Sequence, residues 1–327
     1  MEQRQEKKRY RLWFLLLSLL ILLPLCTVAT YTWFSISAVP KVSDMEMTIN
    51  SGVGLQIAWS AEAPEKDWKQ QLDFTDQMPT DTLLTPVTWS NKHQCFYTTT
   101  IGDDGRNMQI DRPLSDERDA NKKNGQYVAF TLYGRTDQHV DVSLAPAVDL
   151  GDGTKSAGTY LYGMPIWDAE EVAHRDGGHG SQYATRIGLR ITKCGADGVW
   201  EDDGAFYVYE PNCDKHIDDT VGYVATPSAD GTAGLVPDGQ LIRQTTSVWE
   251  ESDPVQRDVV IRQLGEFEDD TELFELNESE TVRIDVYIWL EGMDVDCVNA
   301  IGQSARLFAN LQFLSKPHSD SGLVPIE

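Results

Sequence analysis

No charged residue occurs between Arg11 and Lys41, and the stretch opens on the run Leu12-Trp13-Phe14-Leu15-Leu16-Leu17-Ser18-Leu19-Leu20-Ile21-Leu22-Leu23. A helix of about 20 apolar residues spans the hydrocarbon core of a bilayer. Arg4, Lys7, Lys8, Arg9 and Arg11, set against Glu2 and Glu6, form a basic flank before it. Such a flank keeps its end of the chain in the cytoplasm. The sequence therefore predicts a basic cytoplasmic tail at 1–11, a transmembrane anchor or signal helix at 12–34, and an exported body beyond.

Two fates of this segment are open. Tyr31, Trp33 and Phe34 have the composition of an interfacial aromatic belt, which fits a retained single-pass anchor with its N-terminus cytoplasmic and its bulk outside the cell. Leu12 to Leu23 has the length of a signal-peptide apolar region, Pro24 is placed to end its helix, and Thr27 and Ala29 fit positions −3 and −1 of a cleavage site. Cleavage near Ala29 would release a secreted protein. Cys26 lacks a small residue just before it and reads as an ordinary membrane residue rather than a lipidation site.

Charge sets the next limit. The whole chain has 27 basic and 52 acidic residues, a net charge of −25. Residues 1–34 hold five basic and two acidic residues, so the remainder carries 22 and 50, a net charge of −28. A body this acidic repels nucleic-acid phosphate and anionic lipid heads. Its membrane partner is the segment 12–34 alone, and its solution partners are cations, a second copy or a cell-surface partner.

The body reads as all-β. Val282-Arg283-Ile284-Asp285-Val286-Tyr287-Ile288-Trp289-Leu290 alternates with period two, its even positions all aliphatic, as a strand with one buried face requires. The same phase occurs at Val128, Phe130 and Leu132, at Val140, Val142 and Leu144, at Ile187, Leu189 and Ile191, at Leu307, Ala309, Leu311 and Phe313, and at Phe206 and Val208. Met45, Met47 and Ile49, then Leu55, Ile57 and Trp59, read as an opening pair of strands around Ser51-Gly52.

Asp-Gly pairs recur between such runs, at Asp104-Gly105, Asp152-Gly153, Asp176-Gly177, Asp197-Gly198, Asp203-Gly204, Asp230-Gly231 and Asp238-Gly239, with Asn124-Gly125 beside them. These residues tolerate the positive φ of tight hairpin turns. Short strands separated by turn signals predict an antiparallel β-sandwich or jelly roll over 35–315, with long inserted loops at 60–82, 102–125 and 145–180. Residues 168–174 and 254–264 could each form a few helical turns, and 316–327 reads as a flexible polar tail. One elaborated domain or two stacked sandwiches both satisfy this pattern.

Four cysteines lie beyond the leader, Cys95, Cys194, Cys213 and Cys297. In an exported domain they permit two disulfides, in any of three pairings. Calcium ligands are available as Asp197, Glu201, Asp202 and Asp203 in one turn and as Glu291, Asp294 and Asp296 after the best strand. Neither set has the spacing of a calcium-binding loop, so a weak structural calcium is the most they predict. His174 and His179 offer two metal ligands in a glycine-rich loop where three or four are needed.

Trp59, Trp68, Trp89, Trp167, Trp200, Trp249 and Trp289 could stack on sugars or fill a core. Trp289 falls on the face of its strand opposite the aliphatic row, so it is either exposed or covered. G-x-S-x-G, H-E-x-x-H and phosphate-cradling glycine loops are missing, so no catalytic residue or cofactor is assigned.

The junction Ala29-Thr30-Tyr31-Thr32-Trp33-Phe34-Ser35-Ile36-Ser37 with a strand at 45–49 resembles the start of exported Gram-positive surface proteins. In plan it is similar to the TasA/camelysin group. The phrase Tyr287-Ile288-Trp289-Leu290-Glu291-Gly292-Met293-Asp294-Val295-Asp296-Cys297-Val298-Asn299 resembles an ending seen in such anchored proteins. The resemblance implies a jelly roll and a role in biofilm fibres or surface layers, with the leader processed by a dedicated signal peptidase. The expected function is thus a non-enzymatic, membrane-anchored surface protein, structural or adhesive. The alternatives are an extracellular glycan- or peptide-binding module and a surface hydrolase that works through paired carboxylates.

Overall fold

The aliphatic phase of the long strand near the C-terminus builds the centre of the molecule. In the computed structural model, Val282, Ile284, Val286, Ile288 and Leu290 are all fully buried and face one shared core. Each such side chain contributes about 1.5–3 kcal/mol on burial. The structure describes residues 42–52, 54–74, 84–90, 93–101, 108–122, 125–150, 156–163, 181–195, 198–201, 205–210, 226–227, 233–234, 248–249, 261–264, 271–292, 297 and 305–318. All of them belong to one compact unit.

The strands in chain order are β1 (Val42–Asn50), β2 (Leu55–Ala58), β3 (Gln71–Asp73), β4 (Pro86–Ser90), β5 (Cys95–Ile101), β6 (Met108–Pro113), β7 (Val128–Thr136), β8 (Val140–Leu144) and β9 (Tyr160–Gly163). They continue as β10 (Thr185–Cys194), β11 (Ala205–Tyr209), β12 (Thr226–Pro227), β13 (Ala233–Gly234), β14 (Val248–Trp249), β15 (Ile261–Leu264), β16 (Glu272–Leu276), β17 (Thr281–Glu291) and β18 (Ala305–Pro317). Among the described residues one short α-helix, α1 (Asp116–Asp119), and two 3-10 turns, Glu65–Asp67 and Ser181–Ala184, interrupt them. The body is therefore all-β.

Two large sheets face each other across the core. The six-stranded sheet has the order β16-β8-β18-β1-β3, with β9 also on β18. The ten-stranded sheet runs β15-β11-β10-β17-β4-β5-β6, with β7 on β17, β2 on β7 and β14 on β4. Most ladders are antiparallel, as the hairpin pattern predicts, but both sheets are mixed. β1 lies parallel to β18, with Met47 opposite Ala309 and Ile49 opposite Leu311. β15 lies parallel to β11, and β4 lies parallel to β17. Parallel neighbours need long connections, and residues 210–260 join β11 to β15. The stretches expected as loops at 60–82, 102–125 and 145–180 are corrected in part, because they hold β3, β6 with α1, and β9, while residues 168–174 lie outside the described residues.

Period two fixes which residues meet in the core. Ile187, Leu189 and Ile191 of β10, Val128 and Leu132 of β7, Val140, Val142 and Leu144 of β8, and Leu307, Ala309, Leu311 and Phe313 of β18 all join it. The pairing expected around Ser51-Gly52 is not formed. β1 bonds to β18 and β3, whereas β2 bonds to β7 in the other sheet. At the crossing, a Cβ on Gly52 would come within 2.6 Å of the Ser315 backbone nitrogen. Glycine therefore lets the chain change sheets there rather than reverse within one. The helical turns expected at 254–264 are also corrected, because Ile261–Leu264 is a strand beside β11.

The ten-stranded sheet has a second apolar face. Tyr287 and Trp289 of β17 and Phe206 and Val208 of β11 point away from the main core and form another cluster with Val87, Trp89, Phe96 and Tyr127. The β4–β5 hairpin lays Trp89 flat on Phe206, with ring centroids 4.9 Å apart, and sets Phe96 edge-on to Trp289 at 5.2 Å. Trp289 is thus covered.

That face also holds charge. Arg186, opposite Trp289 in the β10–β17 ladder, bonds Glu210 at 2.7 Å, and both side chains are 2% exposed. Gly188 makes room beside them, since a Cβ there would sit 2.7 Å from the Phe206 ring.

Candidate metal centre

The same alternation that buries Val140, Val142, Phe274 and Leu276 turns the intervening residues of β8 and β16 outward. His139 precedes β8, Asp141 lies within it, and Glu275 lies within β16. On β18 the buried set ends at Phe313, which sends Lys316 and His318 to that outer face. Three adjacent strands therefore present polar side chains together at one end of the six-stranded sheet.

Register brings the chemistry into contact. Glu275 stands opposite Asp141, Lys316 stands opposite Asp141 from the other side, and Pro317 stands opposite Val140. One step further, the His318 amide donates to the His139 carbonyl at 3.0 Å, so the two histidines face each other across the ladder. Their imidazoles stack with centroids 4.1 Å apart and planes 21° from parallel.

Each ring meets a carboxylate. His139 Nε2 lies 2.5 Å from Glu275 Oε1, and His318 Nδ1 lies 2.6 Å from Asp141 Oδ1. A carboxylate only accepts, so each of these ring nitrogens carries its proton and donates it. The side chains are partly open to solvent, from 30% for His318 and Asp141 to 41% for Glu275. Ligand atoms of His139, Glu275 and His318 all lie within 4.8 Å of one another. No family model matches the chain. No curated protein and no solved structure is significantly similar to it either.

The residues singled out from sequence lie elsewhere. His174, His179, Asp197, Asp202, Asp203, Asp294, Asp296 and Cys213 are outside the described residues. Glu291 is fully buried and accepts the Trp289 indole N–H at 2.8 Å, so it is a core carboxylate rather than a turn ligand. Glu201 is exposed and accepts weakly from the Lys193 amide at 3.4 Å. Cys95 and Cys194 carry free thiols, and burial pushes the Cys95 thiol up despite its hydrogen bond with Tyr97. Cys297 is buried.

Among the tryptophans, Trp68, Trp89 and Trp289 are buried. Trp59 is half-buried and packs on Phe74 and Phe130. Trp200 is 37% exposed beside Tyr133. Trp167 lies outside the described residues, and Trp249 belongs to β14.

Sequence reasoning missed His139, Asp141, Glu275 and His318 because they come from three separate stretches of chain. The signal was present in the outward phase of strands recognised from their inward phase. What sequence lacked was the register that lays β16, β8 and β18 side by side.

Proposed function

We propose that this chain is a surface protein, carried outside the cell membrane by its segment 12–34, with a structural or adhesive rather than catalytic role. The observation that carries this reading is the charge-free leucine-rich stretch with its basic flank, placed directly before an all-β body. The body's strong negative charge supports a soluble, cation-attracting exterior. In this reading the two facing sheets are a jelly-roll variant, and the chain follows the plan of the TasA/camelysin group, as the motifs at 29–37 and 287–299 suggest. Among the described residues no helix is long and apolar enough to cross a membrane, and residues 12–34 lie outside them.

Fibre assembly by strand addition has less support than anchoring. In the six-stranded sheet the edge strands β3, β9 and β16 have only 3, 4 and 5 residues, and short edges oppose pairing with a second copy. A ligand-binding reading is favoured by one feature, the exposed pair Val199 and Trp200, 64% and 37% exposed. Its check is a glycan array probed with the protein and with Trp200→Ala, and equal signals would remove Trp200 from any sugar site.

The test of the main reading is protease shaving of intact native cells, with mass spectrometry of the membrane fraction. Loss of the body to external protease is expected, with the N-terminus either intact or cut near Ala29. Intact protein in the cytosol, protected from the protease, would overturn it.

A further inference from the structure

We propose that His139, Glu275 and His318 form a binding site for a divalent transition-metal ion of the zinc class, with Asp141 as a positioning residue. The convergence is specific. Three strands contribute, and the partners are separated by 136 residues between His139 and Glu275 and 177 between Asp141 and His318. Two imidazoles and a carboxylate are the donor set of a borderline ion, whereas calcium takes six to eight oxygens. The Asp141 contact holds His318 with Nδ1 protonated, leaving Nε2 as its metal-binding atom. A carboxylate behind a histidine is the usual way such a ligand is oriented.

Binding demands a defined rearrangement. Zinc bonds of about 2.0–2.1 Å place neighbouring ligand atoms roughly 3.3 Å apart in a tetrahedron. The His139–Glu275 contact of 2.5 Å must therefore open as the ion enters, with the proton of Nε2 lost to solvent and one regained at Nδ1, so that His139 binds as the neutral imidazole. The stacked rings must also fan apart, because each lone pair lies in its own ring plane. Three protein ligands and partial exposure leave the fourth position to water. Lys316, opposite Asp141 on this face, is the nearby cation that opposes the ion's charge. The proposal is independent of where the protein resides, since it is tested on the purified chain.

The experiment is a zinc titration of the full chain in detergent, competed against a chromophoric chelator. One equivalent is expected to bind, with a Kd in the micromolar range or below, and millimolar calcium leaves it bound. Asp141→Asn weakens binding by about tenfold, as loss of an orienting carboxylate does. H139Q/H318Q removes the site, whereas H174Q/H179Q leaves it unchanged. If the wild-type chain binds no zinc, if calcium displaces it, or if H139Q/H318Q binds as wild type does, the proposal fails. Cobalt substitution of the wild-type chain guards against a variant that does not fold. Weak visible bands without a sulfur charge-transfer band are expected, and a strong sulfur band would assign the ion to cysteine instead.

Discussion

Replacing Arg186 with methionine tests whether the outer face of the ten-stranded sheet is truly dry. The change keeps the alkyl stem and deletes the guanidinium. Arg186 and Glu210 are both 2% exposed and 2.7 Å apart, and Glu291, fully buried, lies on the same face. Removing one member of a buried pair leaves a charge without its counter-ion and costs about 3–5 kcal/mol. With a urea dependence of about 3 kcal/mol per molar, the unfolding midpoint should fall by roughly 1–1.7 M. Replacing both partners, R186M/E210L, removes the orphaned charge along with its partner and should return most of that loss.

The assay is urea unfolding of the full chain in detergent, followed by tryptophan fluorescence, since Trp89 and Trp289 report from this face. The midpoint of Arg186→Met alone should recover partly as pH falls, because a carboxylate without its partner takes up a proton. A single variant within about 1 kcal/mol of wild type, or a double variant no better than the single one, would refute a water-free ion pair and with it the close docking of the β4–β5 hairpin.

Three further outcomes are expected. Gly188→Ala should destabilise by about 1–3 kcal/mol in the same assay through overpacking, because its Cβ would meet Phe206 at 2.7 Å and Trp289 at 3.0 Å. Burial, reinforced by Asp116, pushes the Tyr287 hydroxyl up to about 12 and raises that of Tyr127 further. The folded state therefore keeps protons that the unfolded chain sheds, so stability should fall as pH rises above about 10, and absorbance titration of the folded chain should show Tyr287 and Tyr127 ionising later than they do in the unfolded chain.

The third outcome concerns Asp119. Burial pushes its carboxyl up, but hydrogen bonds from Arg112, the Ser115 amide and Arg118 outweigh that and hold it below the usual carboxylate range. Its contribution is present above about pH 4 and lost as pH falls through the lowered value. Asp119→Asn should flatten that part of an acid unfolding curve.

The inward faces were legible because one buried face imposes period two. The alternation from Val282 to Leu290 marks β17 by itself. Trp289 was readable only as a choice, since what covers a strand's other face depends on a hairpin elsewhere in the chain. That hairpin, β4 with β5, was itself hidden. β4 has only five residues, and the alternation of Val87 and Trp89 with Thr88 and Ser90 is too brief to mark a strand by itself. The pairing around Gly52 misled because a turn signal marks a change of direction and not the sheet in which the next strand lands. The His139, Glu275 and His318 cluster was illegible for the same reason on a larger scale. Each residue sits on the polar phase of its strand, where alone it reads as solvated surface, and only register joins them.

The parallel pairing of β1 with β18 has a consequence for biogenesis. Met47 waits for Ala309 and Ile49 for Leu311, and β18 also receives β9 and β8 along its other side. At about 5–20 residues per second, the ribosome needs roughly 10–50 s between making the first strand and the one that completes its sheet. The nascent body must cross any membrane with that sheet unfinished. A chain cut short before Ala305 would lose the central member of the layer, leaving the preceding strands as substrates for proteases and chaperones.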